Sequence, residues 1–253
     1  MKNKEKWEPT RFVLRRGRLR ASPDPKMVGI SDRFLIEQVA ASYEKYIAQY
    51  CRGRLADIGC GHMPLYGYYK QYCDEVTAVD WSETRHPNEH LDVVADLNCP
   101  PIPGIDAGSF ETVICSDVLE HIYKPRSLLD ECNRIMVEDG VLLFNVPFYF
   151  YIHEVPYDYY RYTEWALKKM LSDSGFEMLE IVPLGGIVSA WLSLTSLSLG
   201  GFGFPGKAAA AFVQYVQNGL NAFRLFHKIF YYKKERITLG YFVVARKSHL
   251  NTV

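Results

Sequence analysis

The sequence predicts an α/β fold: a mostly parallel sheet with helices on both faces. Three observations carry this. From residue 28 to residue 183, apolar runs of strand length alternate with segments of helical period, the order that builds parallel sheets. The first run, 54–58, stops at Gly59-Cys60-Gly61, where glycine lets the backbone turn sharply and a ligand approach the main chain. Asp80 then closes the second run, and an acid about 20 residues beyond such a turn suits the hydroxyl pair of a ribose.

The elements follow in order. Residues 1–27 are charged, hold three prolines and five arginines (Arg11, Arg15, Arg16, Arg18 and Arg20), and read as a basic, solvated arm. A phosphate or an anionic membrane surface is the functional alternative for it. Phe34, Ile36, Val39, Ala40, Tyr43, Tyr46 and Ile47 fall at helical spacing within 28–50. Strands are expected near 54–58, 75–80, 91–95, 111–115, 140–146 and 176–183, and helices near 64–72, 124–137 and 163–174. Asp139-Gly140 reads as the turn into the fifth strand; Thr163-Glu164 fits a helix start and Gly175 its cap. From Ile181 to Gly206 no residue is charged. That run is long enough to span a bilayer but is broken by Pro183 and several glycines. A packed helical insertion and a lipid-surface element are the stronger readings. A helical run from 208 to 230 and a last strand from 238 to 245 complete the pattern.

Bulk composition excludes some classes. Lysine plus arginine equals aspartate plus glutamate, 29 each, so net charge argues for no nucleic-acid partner. Six cysteines include no C-x-x-C pair, which suggests neither a zinc nor a redox site. A polar, charged N-terminus without a leader pattern points to a reducing cytoplasm.

The glycine turn narrows the ligand. A dinucleotide fingerprint asks for a third glycine where Pro64 stands. Asp57, just before the turn, would repel a pyrophosphate but suits the cationic amino-acid end of S-adenosylmethionine (SAM). The chain resembles a class I SAM-dependent methyltransferase of the type 11 group, in particular a bacterial branch found in cell-envelope glycan clusters. The resemblance rests on Asp57-Ile58-Gly59-Cys60-Gly61-His62 with Asp80, on Val94-Ala95-Asp96-Leu97, and on the stretch from Ser109 to Ile122 followed by 138–143. It rests also on His153-Glu154-Val155-Pro156-Tyr157-Asp158-Tyr159-Tyr160-Arg161-Tyr162-Thr163. Met63 departs from the many relatives that carry a glycine there.

The resemblance implies a Rossmann-like seven-stranded sheet of order 3-2-1-4-5-7-6 with the last strand antiparallel. A methyltransferase domain would occupy 28–253, with a helical insertion at 184–236 between strands 6 and 7. It implies SAM as cofactor and S-adenosylhomocysteine as product. Gly59 and Gly61 would pass beneath the methionine and ribose, and Asp80 would accept from both ribose hydroxyls. Asp96 and the Leu97 N–H would read the adenine, and the Ser116 carbonyl would face the sulfonium. Cys60, Trp81 and His121 complete the expected cofactor pocket.

Transfer to a hydroxyl also needs a base. Of the histidines, His62, His121 and His153 fall on the ligand side of the expected sheet; His227 and His249 are remote. His153 is the candidate base. It sits in a segment, 148–162, crowded with Tyr149, Tyr151, Tyr157, Tyr159, Tyr160 and Tyr162, rings that suit a saccharide but could equally pack the loop. His153-Glu154 is no H-E-x-x-H, because residue 157 is tyrosine, and no metal is expected. The expected activity is O-methylation of a saccharide or lipid-linked glycan. The alternatives are a small hydrophobic metabolite as acceptor, or a SAM-binding module without catalysis. Peripheral membrane contact and a homodimer are compatible with the composition.

Overall fold

A computed structural model describes residues 1–82, 88–221 and 223–248; His249 lies outside them. The sheet strands are β3 (Arg54–Ile58), β4 (Glu75–Asp80), β5 (Val93–Val94), β6 (Phe110–Ser116), β7 (Met136–Pro147), β8 (Phe176–Pro183) and β9 (Gly240–Lys247). They pair in the order β5-β4-β3-β6-β7-β9-β8. This is the expected 3-2-1-4-5-7-6. Every pairing from β5 to β7 is parallel, and β9 runs antiparallel to both β7 and β8.

Alternation along the strands builds two cores. Leu55, Ile114, Leu143, Phe242 and Val244 face one side, under α1 (Arg33–Tyr50) with its buried Phe34, Val39, Tyr43 and Ile47. Ala56, Ile58, Val113, Leu142 and Val243 face the other, under α3 (Pro125–Ile135) and α4 (Glu164–Asp173). Because the inner strands β3, β6, β7 and β9 are covered on both faces, their apolar runs are nearly continuous. The Thr163 hydroxyl accepts from the Ala166 N–H and caps α4; Gly175 follows the last turn at φ +75°.

Several expected bounds move. The helix at 64–72 is one turn, α2 (Tyr66–Tyr69). The turn at Asp139-Gly140 is a bulge within a longer β7: β7 advances five residues, from Met136 to Val141, while β6 advances two, from Phe110 to Thr112. The 181–230 region forms α5 (Ile187–Gly200), α6 (Gly203–Asn221) and α7 (Arg224–Phe230). Among the described residues, no helix is long and apolar enough to cross a membrane.

The first 27 residues correct the solvated-arm expectation. Arg16 and Gly17 both adopt positive φ and turn β1 (Phe12–Arg15) back on β2 (Arg18–Ala21). Alternation then puts Phe12, Leu19 and Ala21 into the core beside α1. Arg15, Arg16, Arg18 and Arg20 point outward; Arg18 pairs with Glu44 and Arg20 with Glu37. Upstream, the Trp7 indole donates to the Met63 carbonyl at 3.0 Å and meets the Tyr66 ring edge-on. The segment is thereby clamped against the loop after β3.

Candidate active site

The carboxyl ends of β3, β4 and β6 open onto a cleft of about 970 Å³. Open α/β sheets bind ligands at this end. The expected residues Gly59, Cys60, Gly61, Asp80, Trp81, Asp96, Leu97, Ser116, His121 and His153 all line it. Gly59 sits at φ +66°, and a Cβ there would fall 2.5 Å from Val118 Cγ2. Glycine is therefore required twice over, by conformation and by space. Asp80 is nearly buried, and its two carboxylate oxygens are fixed separately. Oδ2 accepts from the Gly61 N–H and Oδ1 from the Trp81 N–H, each at 2.8 Å. The carboxylate is thereby held in one orientation at the mouth of the cleft. Burial by itself would raise the Asp96 pKa, but bonds from the Asn98 amide N–H, the Asn98 side chain and Cys99 outweigh it and hold the carboxyl low. Burial pushes the Cys60 thiol up, so it stays protonated. The Ser116 hydroxyl donates to Asn145 Oδ1 at 2.9 Å, below the floor, where Tyr43 OH donates as well.

Asp57 stands apart from this set. It is 3% exposed, accepts from Tyr69 OH at 2.8 Å, and does not line the cleft. Desolvation raises its pKa to about 7, opposed by the Tyr69 bond and aided by the Asp80 charge. It supports the floor of the site from beneath rather than facing a ligand.

The opposite wall is assembled from distant segments. His121 follows β6, in a short 3-10 turn at Leu119–His121, and His153 lies in the loop after β7. Their rings meet edge to face, with centroids 4.8 Å apart. His121 Nδ1 lies 2.9 Å from the Tyr157 carbonyl. His153 Nδ1 lies 3.3 Å from the Tyr151 carbonyl and 3.2 Å from Asp158 Oδ2. These partners only accept, so each neutral ring carries its hydrogen on Nδ1 and presents a bare Nε2. Desolvation, then the His121 charge, lowers the His153 pKa and favours the neutral ring. Both Nε2 atoms lie 3.9 Å from Glu120 Oε1. Arg161 grips Asp158 through both guanidinium NH₂ nitrogens, at 2.5 and 2.8 Å, and fixes the loop.

Around this cluster Tyr151, Tyr157, Tyr159, Trp81, Arg11, Lys26 and Lys124 line the cleft. The Trp81 and Tyr157 rings stand perpendicular, 5.1 Å apart, and join the two walls. Arg11, from the N-terminal segment, pairs with Asp117 at 2.6 Å. A second cavity of about 380 Å³ lies between α5 and the aromatic segment, lined by Leu35, Phe148, Ala190, Leu194 and Leu197. Phe150, Tyr151, Asp32 and Leu35 border both cavities.

Sequence reasoning missed Glu120 and Arg11 as site residues. Glu120 falls within the Ser109–Ile122 stretch, but nothing local marks a buried carboxylate. The alternation of Phe12, Leu19 and Ala21 about Arg16-Gly17 was the available signal for the hairpin that carries Arg11 inward.

Residues 56–144 match the model of a methyltransferase domain. No curated protein matches the chain. Several solved structures share its fold. A methyltransferase candidate from Haloferax volcanii, solved with the activator Trm112, is 14% identical, with 87% of this chain and 98% of that one covered at a TM-score of 0.52. A geranyl diphosphate methyltransferase in complex with SAM is 12% identical, covering 89% and 93% at 0.51. The [4+2]-cyclase SpnF is 17% identical, covering 84% and 82% at 0.50. At such identities these likenesses establish the fold alone. With the domain match, the protein is a SAM-dependent methyltransferase, and SAM is its cofactor.

Proposed function

We propose that this enzyme O-methylates a saccharide or a lipid-linked glycan intermediate. The observation that carries the reading is the composition of the wall facing the donor site. Tyr151, Tyr157 and Tyr159 offer rings and hydroxyls to a sugar, and Arg11, Lys26 and Lys124 offer charge to a phosphate. The apolar cavity under α5 adjoins them and suits a hydrocarbon part.

Gly59 and Gly61 would hold SAM at the floor of the cleft, with Asp80 at its ribose and Asp96 and Leu97 at its adenine. The acceptor enters across the cleft. Its hydroxyl oxygen attacks the sulfonium methyl, the S–CH₃ bond breaks, and the electron pair stays on sulfur. The hydroxyl proton passes to the bare Nε2 of His153. SAM is already activated, so the enzyme's work is alignment and proton removal.

Peripheral membrane contact belongs to the same proposal. Trp191, Phe202, Phe204, Phe212 and Tyr215 are more than 60% exposed along α5, α6 and their junction, a surface that suits an interface. A geranyl diphosphate methyltransferase of the same fold acts on an acceptor that is itself apolar and phosphorylated. The apolar cavity also favours a second reading, a small hydrophobic metabolite. Incubation with methyl-labelled SAM and a cell extract separates the two. Label in a lipid-extractable, glycosidase-sensitive fraction supports the first reading. Label confined to small organic metabolites overturns it.

A further inference from the structure

We infer that Glu120, His121 and His153 form a binding site for one divalent transition-metal cation, at the wall of the cleft that faces the acceptor. One ligand atom from each lies within 4.8 Å of the others. A tetrahedral ion with bonds of about 2.0–2.2 Å sets its ligands roughly 3.3–3.6 Å apart, so the cluster needs only a small contraction. The two Nε2 atoms converge on the same oxygen, Glu120 Oε1, at 3.9 Å each.

Two independent features mark this as a built site. First, Glu120 is 0% exposed, and neither of its carboxylate oxygens has a hydrogen-bond partner among the described residues. A buried carboxylate without partners is costly. Arg161, a nearby cation, is committed to Asp158. Second, both imidazoles are oriented as metal-bound histidines usually are, with Nδ1 held by a carbonyl or a carboxylate and Nε2 left bare. Tyr157 O serves His121, and Asp158 with Tyr151 O serves His153. Both rings line the cleft while Glu120 lies behind them. The cation's remaining positions therefore open toward the acceptor.

Two imidazoles and one carboxylate suit Mn²⁺, Fe²⁺, Co²⁺ or Zn²⁺ better than Mg²⁺ or Ca²⁺, which prefer oxygen ligands. The catalytic consequence rests on the function proposed above. A cation here lowers the pKa of the acceptor hydroxyl and engages the same His153 Nε2 that serves as base when the site is unloaded.

Binding itself is tested without an acceptor. The full chain, stripped with chelator, is titrated with Mn²⁺ and followed by electron paramagnetic resonance and calorimetry. Mn²⁺ is chosen because thiols compete poorly for it. One Mn²⁺ per chain is expected. His121→Ala, His153→Ala and Glu120→Gln should each weaken binding at least about 100-fold, and Asp158→Asn, which loses only an outer partner, by about 10-fold. His227→Ala, remote from the cluster, should bind like the parent. SAM calorimetry on each variant reports whether the donor half is intact. If Glu120→Gln does not fold, the two histidine variants decide the matter, since their rings face open cleft. Absence of Mn²⁺ binding, or equal binding by parent and histidine variants, overturns the inference. SAM binding without Mn²⁺ binding defeats the cation site alone. Mn²⁺ binding with label in no acceptor fraction defeats the acceptor proposal alone.

Discussion

The two walls of the cleft are built by opposite strategies. The donor wall comes from short, contiguous stretches at the ends of adjacent parallel strands: 59–61, 80–81 and 96–97. Its polar groups are held mainly by the backbone, as Asp80 is by the Gly61 and Trp81 N–H groups. The acceptor wall comes from the segments flanking the hairpin, the turn after β6, the loop after β7 and helix α5. Its members are held side chain to side chain, as Asp158 is by Arg161, or by long-range bonds to carbonyls, as His121 is by Tyr157. A common donor can be served by strand ends that the sheet itself positions. An acceptor particular to this enzyme is served by loops that can change without disturbing the sheet.

Breaking each wall separately sharpens the contrast. The largest effect is expected for His153→Ala: transfer of label from SAM should slow by about 10²–10⁴, with SAM affinity within twofold of the parent. A comparable loss of SAM binding would show that the walls are not separable. Asp80→Ala is next. Loss of hydrogen bonds to a charged group, at about 1.5–3 kcal/mol, should weaken SAM roughly 10–100-fold by calorimetry. Unchanged affinity would remove Asp80 from the ribose site. Leu197→Asp puts a charge into the cavity under α5. It should raise the acceptor KM about tenfold, equivalent to about 1.4 kcal/mol, and leave the SAM Kd alone.

The weakest effect on either ligand is expected at Asp57. Asp57→Asn keeps an acceptor for Tyr69 OH, and its signature is in stability. The folded pKa, about 7, stands above the ordinary aspartate value of 3.8, so the native state holds this proton longer than the unfolded chain. Wild-type stability should therefore fall as pH rises through that window and level off above it. Chemical denaturation across pH should show the asparagine variant without this slope. Parallel slopes would refute the assignment.

The legibility of the sequence divides along the same line. Strand order and the residues that line the cleft at the strand ends could be read because each is announced within a few neighbouring residues. Gly59, Asp80 and Asp96 stand at the ends of apolar runs, and the sheet does the rest. Asp57 was read as facing the ligand because its position in the motif is local, whereas its partner Tyr69 arrives from the following helix. Glu120 was invisible as a site residue because its meaning lies in what it lacks. The charge of Arg11, Arg15, Arg16, Arg18 and Arg20 masked a two-residue alternation, and with it a hairpin whose flanking residues Thr10, Arg11 and Lys26 line the cleft. The insertion was legible as apolar and helical, but not in its division into α5, α6 and α7.

The place of β9 bears on how the molecule is made. β8 touches the sheet only through β9, which lies between it and β7. During synthesis β8 and the three helices of the insertion leave the ribosome before the strand that anchors them. Until β9 slots in, β7 keeps an unpaired apolar edge, and such an edge invites pairing with other chains. Nascent protein stalled or cleaved before residue 240 should thus be a target for chaperones, and the last strand acts as the checkpoint of assembly.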